Sequence, residues 1–268
     1  MDPVQECPIF RFDAQGLRAQ TDKVIVEVRA ELDVNEGQCR LAMLCLPLDL
    51  EALAVGLLWT EGLLRRRADL ASVQVADQHR ILVRGDFDSD ALQAAARRWT
   101  WGSGCGGGGT SRDFDAPAYG RVEGQARFAP ERLLELADDF AARARLWPQT
   151  GGVHACALAS AKGIALFAED VGRHNAFDKV MGRALLDGID VSDKAALLTG
   201  RLSGEIVSKA VACRVPILVS RSAVTSLGVE LARRFGVTLV GFARGRRFNV
   251  YAGFDRVAGA DERKGPTP

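Results

Sequence analysis

Cys105 lies in the run Gly102-Ser103-Gly104-Cys105-Gly106-Gly107-Gly108-Gly109-Thr110-Ser111. Glycine gives a backbone freedom at the cost of order, and no neighbour in the run has a side chain large enough to pack against the thiol. A sulfur on such a tether can swing between two sites, as a group carrier requires. A persulfide carrier uses a thiolate to attack the outer sulfur of a donor persulfide, then holds that sulfur until an acceptor takes it. Access and a basic neighbourhood favour the thiolate. The plainer alternative is a thiol in a linker of no consequence.

A second group is basic. Leu198-Thr199-Gly200-Arg201-Leu202-Ser203 and Val219-Ser220-Arg221-Ser222-Ala223-Val224-Thr225 echo each other, each a strand end running into a helix start. Helix N-termini attract anions through unpaired N–H groups and the macrodipole. In open α/β sheets, ligands bind beyond the carboxyl ends of the strands. That edge is expected to collect Arg173, Arg201, Ser203, Arg221, Ser222 and Thr225, followed by Phe242-Ala243-Arg244-Gly245-Arg246-Arg247 after another strand. Guanidinium pairs bidentately with phosphate, so several such forks suit a ligand with several phosphates. The alternative is surface arginines with ordinary partners.

His154 stands at a strand start and His174 at a helix start, both near that edge. Each is a candidate ligand contact, or a histidine satisfied within the fold. Asp178 and Lys179, one turn after His174, are either a solvated charged helix face or contacts of the site.

The elements that must position these groups follow from periodicity. Strands are expected over 24–28, 32–34 and 40–46, a helix capped by Asp49 over 49–64, a hairpin over 73–75 and 81–83, and a short helix over 90–98. Pro130 opens a helix with an apolar stripe of Leu133, Leu136, Ala137, Phe140 and Ala144, which Trp147-Pro148 ends. Two strands follow over 153–159 and 163–168. Helices (170–185, 203–213, 225–235) then alternate with strands (195–198, 217–219, 238–242, 248–251), implying a largely parallel, helix-covered sheet. The division expected is a loose leader over 1–20, an N-terminal α+β lobe over 21–111 ending in the glycine-rich cysteine loop, a mobile connector over 112–129, an α/β core over 130–256, and a disordered tail over 257–268.

Composition narrows the function classes. In 268 residues, a hydrophobic content of 47% supports a full core, and a net charge of +1 gives no global field for nucleic acid. No apolar run reaches the roughly 18 residues of a membrane span, and residues 1–16 do not read as a signal peptide. The six cysteines, at 7, 39, 45, 105, 156 and 213, include no CxxC pair. Cys39, Cys45, Cys156 and Cys213 read as small core residues in a reducing, cytoplasmic compartment.

Several motifs in order resemble the formate dehydrogenase accessory sulfurtransferase family, the FdhD/NarQ group. They are Thr60-Glu61-Gly62-Leu63-Leu64, Thr150-Gly151-Gly152-Val153-His154, Asp170-Val171-Gly172-Arg173-His174-Asn175-Ala176-Phe177-Asp178-Lys179-Val180, Gly200-Arg201-Leu202-Ser203, and Ser220-Arg221-Ser222 through Val240-Gly241-Phe242-Ala243-Arg244. The resemblance runs from about residue 23 to 253. It implies a core similar to cytidine deaminases without their zinc chemistry, and a homodimer. It also implies sulfur transfer from a cysteine desulfurase to the molybdenum of bis-molybdopterin guanine dinucleotide, bound as substrate, for formate dehydrogenase or a related molybdenum or tungsten enzyme. Cys105 falls where the family's persulfide cysteine lies, and Phe242 to Arg247 where its cofactor-binding segment lies. The family usually has Cys-Gly-x-Cys; here the second position is Gly108. One thiol suffices to hold a persulfide, but relay within the loop is lost, so the chain depends on an external thiol or has kept cofactor binding alone. A cofactor chaperone without sulfur transfer is therefore the competing class. A zinc deaminase needs an H-x-E and a P-C-x-x-C ligand set, and His154-Ala155-Cys156 with no CxxC does not supply it.

Overall fold

Alternating apolar residues and short turns build two sheets and an isolated hairpin in the computed structural model, which describes residues 2–98 and 120–260. The N-terminal lobe holds β3 (Val28–Val34), β4 (Cys39–Cys45), β5 (Leu70–Ala76) and β6 (Arg80–Gly85) in the order β4-β3-β6-β5. Helix α1 (Leu50–Thr60) covers it, and α2 (Ser89–Arg98) lies beside β4. The six-stranded sheet runs β12-β11-β10-β9-β7-β8, from β7 (His154–Ser160), β8 (Gly163–Asp170), β9 (Ala195–Leu198), β10 (Ile217–Ser220), β11 (Thr238–Arg244) and β12 (Arg247–Ala252). Helices α5 (Arg173–Leu186), α6 (Gly204–Cys213) and α7 (Ser226–Phe235) pack on one face, and α3 (Pro130–Ala142) on the other. A single turn, α4 (Trp147–Thr150), leads into β7.

The two lobes meet along α1 and α5. Nearly every side of α1 is apolar and buried, as befits a helix between two layers. Gly56 and Gly182 let the backbones touch: a Cβ on Gly56 would lie 1.7 Å from the Asp178 carbonyl oxygen, and one on Gly182 would lie 1.8 Å from that of Ala52. Around this crossing sit buried ions. Lys209 Nζ reaches Glu61 Oε1 at 2.8 Å, Thr60 Oγ1 at 2.8 Å and both Asp178 oxygens at 3.0 Å. Lys179 Nζ pairs with Asp170 at 2.7 Å and donates to the Leu46 carbonyl at 3.1 Å, while the Leu46 N–H donates back to Asp170. Asp178 and Lys179 are thus interior pairs on the lobe junction, neither a solvated face nor a ligand contact.

Several expectations are corrected. The leader expected to be loose over 1–20 is ordered from Val4: β1 (Val4–Asp13) and β2 (Gly16–Ile25) form a fully paired hairpin. Its turn is closed by Asp13 Oδ1, which accepts the Gln15 N–H at 2.8 Å, and by Gly16 at φ +93°. The strand expected over 24–28 is divided between β2 and β3. Within the connector, residues 120–129 are irregular yet packed: Val122 and Phe128 are buried, and Phe128 bridges to Val257. The tail is packed as far as Val257, whose neighbour Ala258 donates to Phe128; 261–268 lie outside the described residues.

The sheet is mixed. Only β9–β10 and β10–β11 are parallel, while β7–β8, β7–β9 and β11–β12 are antiparallel. Two-residue links, Ala161-Lys162 and Gly245-Arg246, join neighbouring strands only in antiparallel fashion. Among the described residues, no helix is long and apolar enough to cross a membrane.

Candidate functional site at the sheet edge

The sheet order brings the carboxyl ends of β8, β9, β10 and β11 and the amino end of β7 to one edge. His154 pairs across from Asp170, and Cys156 from Leu198. Four inter-strand steps of about 4.8 Å make this edge about 19 Å wide from β8 to β11. It gathers Arg173 and His174 opening α5, His154 opening β7, Arg201 and Ser203 before α6, Arg221 and Ser222 before α7, and the β11–β12 turn of Arg244, Gly245, Arg246 and Arg247.

The two echoing loops are locked together. Leu202 N–H donates to Ala223 at 3.0 Å and Thr225 N–H to Leu202 at 3.1 Å. Ser220 Oγ donates to the Gly200 carbonyl at 2.6 Å and accepts from Ser222 N–H at 2.9 Å. Thr225 Oγ1 caps α7 by accepting from Gly228 N–H at 3.2 Å, so its hydroxyl serves the helix. Ser203 Oγ, at the α6 N-cap, is buried with no hydrogen-bond partner among the described residues.

On the α3 side a cavity of about 600 Å³ opens between Phe140, Trp147, Gly152, His154, Thr199 and Arg221. His154 Nδ1 lies 3.1 Å from Thr199 Oγ1. Burial, the Arg173 guanidinium and His174 hold the His154 imidazole below its usual range, so it is neutral at neutral pH. Arg221 extends to within 3.5 Å of the Ala137 carbonyl on α3. On the other side, Arg173 lies over Gly200, where a Cβ would meet its side chain at 2.8 Å. His174 Nε2 contacts Glu205 Oε2 at 3.0 Å, and that hydrogen bond, with the charges of His174 and Arg173, holds the Glu205 carboxyl below the usual range.

The 242–247 segment sits at the same edge but farther along. Phe242 N–H donates to the Ser222 carbonyl at 2.9 Å. Phe242 takes φ +56° at an irregularity in β11, a strained conformation for an aromatic residue. Arg244 stands over the Phe242 ring at 6.0 Å, Ala243 is buried, and Arg244 through Arg247 are exposed. Strain of this kind, of order 1–3 kcal/mol, clusters at ligand clamps.

The fold therefore brings His154, Arg173, His174 and Arg221 close together, with Arg201 exposed beside them and Phe242 to Arg247 one strand from Arg221 and three from His154. Cys105 lies outside the described residues. Sequence reasoning missed Phe140, Trp147, Thr199 and Glu205. Thr199 stands inside the echo it noticed, but nothing local marks it as the partner of a histidine 45 positions earlier. A wider cavity of about 1090 Å³ at the opposite edge is a poorer candidate. Its Arg256 is spent on the carbonyls of Gly236, Val122 and Gly124. Four cysteines are confirmed in the interior: Cys39, Cys45, Cys156 and Cys213 are buried, and burial with the Asp170 charge pushes the Cys45 thiol up to about 12.

The FdhD/NarQ family model matches residues 25–258. The chain is 38% identical to the sulfur carrier protein FdhD of Wolinella succinogenes, covering 91% of this chain and 86% of that one. It is 34% identical to the protein of the same name from Listeria monocytogenes, covering 96% and 100%. The crystal structure of a candidate formate dehydrogenase accessory protein from Desulfotalea psychrophila superposes with a TM-score of 0.78 at 27% identity, covering 96% of this chain and 100% of that one.

Proposed function

The chain belongs to the FdhD/NarQ family, and from that premise we propose that it is a sulfur carrier. In this reaction, Cys105 accepts sulfur from a cysteine desulfurase, and the sulfur then passes to the molybdenum of bis-molybdopterin guanine dinucleotide bound at the sheet edge. The recipient is a formate dehydrogenase or a related molybdenum or tungsten enzyme. The carrying observation is the convergence of His154, Arg173, His174, Arg201, Arg221 and the 242–247 turn on one edge, beside three helix N-termini. Those groups suit the phosphates of two guanosine diphosphate halves. A deaminase-like core, a homodimer and a cytoplasmic setting belong to the same proposal.

In the first step the Cys105 thiolate attacks the outer sulfur of the donor's persulfide. The donor's S–S bond breaks, its cysteine leaves as a thiolate, and Cys105 holds the persulfide. Delivering that sulfur as sulfide takes two electrons. A thiol supplies them by attacking Cys105 Sγ, forming a disulfide and freeing the terminal sulfur to the metal. With Gly108 in place of a second loop cysteine, the thiol comes from outside the loop.

Gly108 is also what favours the second reading, a chaperone that delivers the cofactor without adding sulfur. Intact-mass spectrometry after incubation with a desulfurase and cysteine separates the two. An adduct of one sulfur atom, removed by reductant and absent from Cys105→Ala, is the expected result. A chaperone gives no adduct, and its Cys105→Ala variant still supports an active target enzyme.

A further inference from the structure

The hydrogen bonds around Thr199 assign its one proton. Thr199 Oγ1 accepts from the Ala155 N–H at 3.0 Å, so its hydroxyl hydrogen goes either to His154 Nδ1 at 3.1 Å or to the Ala155 carbonyl at 3.5 Å. That carbonyl is already engaged by the Thr199 N–H at 3.2 Å. A carbonyl can accept twice, but 3.5 Å is beyond the usual O–H···O range, so a ring protonated at Nδ1 would leave the hydroxyl hydrogen with that long contact alone, and the geometry favours an unprotonated Nδ1 as its acceptor. A neutral imidazole that accepts at Nδ1 carries its own hydrogen at Nε2. Nε2 has no hydrogen-bond partner among the described residues, and His154 lines the 600 Å³ cavity with Arg221, Phe140 and Trp147.

We infer that Thr199 fixes His154 as the tautomer protonated at Nε2, so that the ring offers the cavity an N–H donor. Thr199 is a positioning residue, since it acts through His154. The charged groups around the imidazole are Arg173 and His174 of α5 and Arg221 after β10, with Glu205 of α6 engaged by His174. With Arg173 on one face of the sheet edge and Arg221 on the other, an uncharged ring is the form that a ligand meets. The division of labour follows: arginines take the anionic groups, and His154 takes a neutral acceptor, a ring carbonyl or ring nitrogen of a heterocycle lying against Phe140 and Trp147. The ligand half of this inference rests on the proposed cofactor site. The tautomer is a property of the free protein.

The test is the two-bond proton–nitrogen spectrum of the imidazoles in the full-length, nitrogen-15-labelled protein near neutral pH, with His154 assigned by His154→Gln. The expected pattern is a protonated Nε2 and an unprotonated Nδ1 shifted by an accepted hydrogen bond. Thr199→Ser keeps this pattern. Thr199→Val loses the Nδ1 shift and relaxes to the tautomer mixture of a free imidazole; Thr199→Ala serves if the valine variant does not fold. A protonated Nδ1, a cationic ring, or a spectrum unchanged in the valine or alanine variant overturns the inference. Guanosine diphosphate titration adds a second readout: Thr199→Val weakens binding about three- to tenfold, the worth of one neutral hydrogen bond, and Thr199→Ser restores it. Unaltered affinity in Thr199→Val overturns the ligand half of the inference. Wild-type protein that binds no guanosine diphosphate removes the cofactor site, and the imidazole spectrum then decides the tautomer by itself.

Discussion

A side chain's chemistry is set here by its burial and its neighbours. Cys39, Cys45, Cys156 and Cys213 are enclosed, and burial pushes up the thiols of Cys39, Cys45 and Cys156. Native-state alkylation is therefore expected to spare all four, with modification at any of them under non-denaturing conditions contradicting the interior assignment. Arg221 is the guanidinium on the cavity wall. Arg221→Ala is expected to weaken guanosine diphosphate binding by about tenfold or more, because a charge-assisted contact contributes about 1.5–3 kcal/mol. Arg221→Lys restores little, since lysine lacks the planar fork. Calorimetric titration at two salt concentrations checks both. His154 adds a pH dependence. Its folded-state pKa lies below the ordinary 6.5, so the unfolded chain takes up a proton that the folded one resists. The contribution is whole above about pH 6.5 and falls as pH drops through that value. Urea denaturation at several pH values, wild type against His154→Gln, measures it; identical slopes for the two would refute it.

Among elements, the α1–α5 crossing is the most demanding. Gly56 and Gly182 face carbonyl oxygens at distances where a methyl group cannot fit, so the backbones rather than a flexible side chain would have to move. Gly56→Ala and Gly182→Ala are each expected to cost about 1–3 kcal/mol or more, read as a lowered thermal midpoint. The cost tests the closeness of the crossing, and unaltered midpoints would show that the helices stand farther apart. Elements differ in how well the sequence announces them. From β7 to β12, the alternation of strand and helix was legible because apolar residues recur with the periods that burial imposes. The β1–β2 hairpin escaped notice because Phe10, Phe12 and Leu17 are exposed. Only its open end, through Val4 and Ile25, packs on a buried cluster, and Asp13-Ala14-Gln15-Gly16 is no standard turn signal.

Across the whole molecule, buried ions connect the lobes. Lys209 of α6 holds Glu61 and Thr60 at the end of α1 and Asp178 of α5, and the two carboxylates keep its amine protonated against the effect of burial. Removing one member leaves charge unpaired in the interior. Lys209→Ala is expected to destabilise by about 3–5 kcal/mol and to lower one shared unfolding transition. Circular dichroism and tryptophan fluorescence measured together would reveal it, and two separate transitions would mean that the lobes are independent. The motif residues Thr60, Glu61, Asp178 and Lys179 thus bind the architecture together, apart from the residues gathered at the sheet edge.

Local sequence was enough for most strand and helix limits from β3 onward and for the residue types that the sheet edge gathers, because those depend on spacing along the chain. Partnership was not readable. His154 meets Thr199, His174 meets Glu205, and Lys209 meets Thr60 across 149 positions. Strand direction was not readable either: β7 joins the sheet antiparallel between β8 and β9, which places His154 at the same edge as the carboxyl ends of β8 and β9. Such pairings are chosen by packing the whole core at once, and no window of sequence contains both sides of the contact.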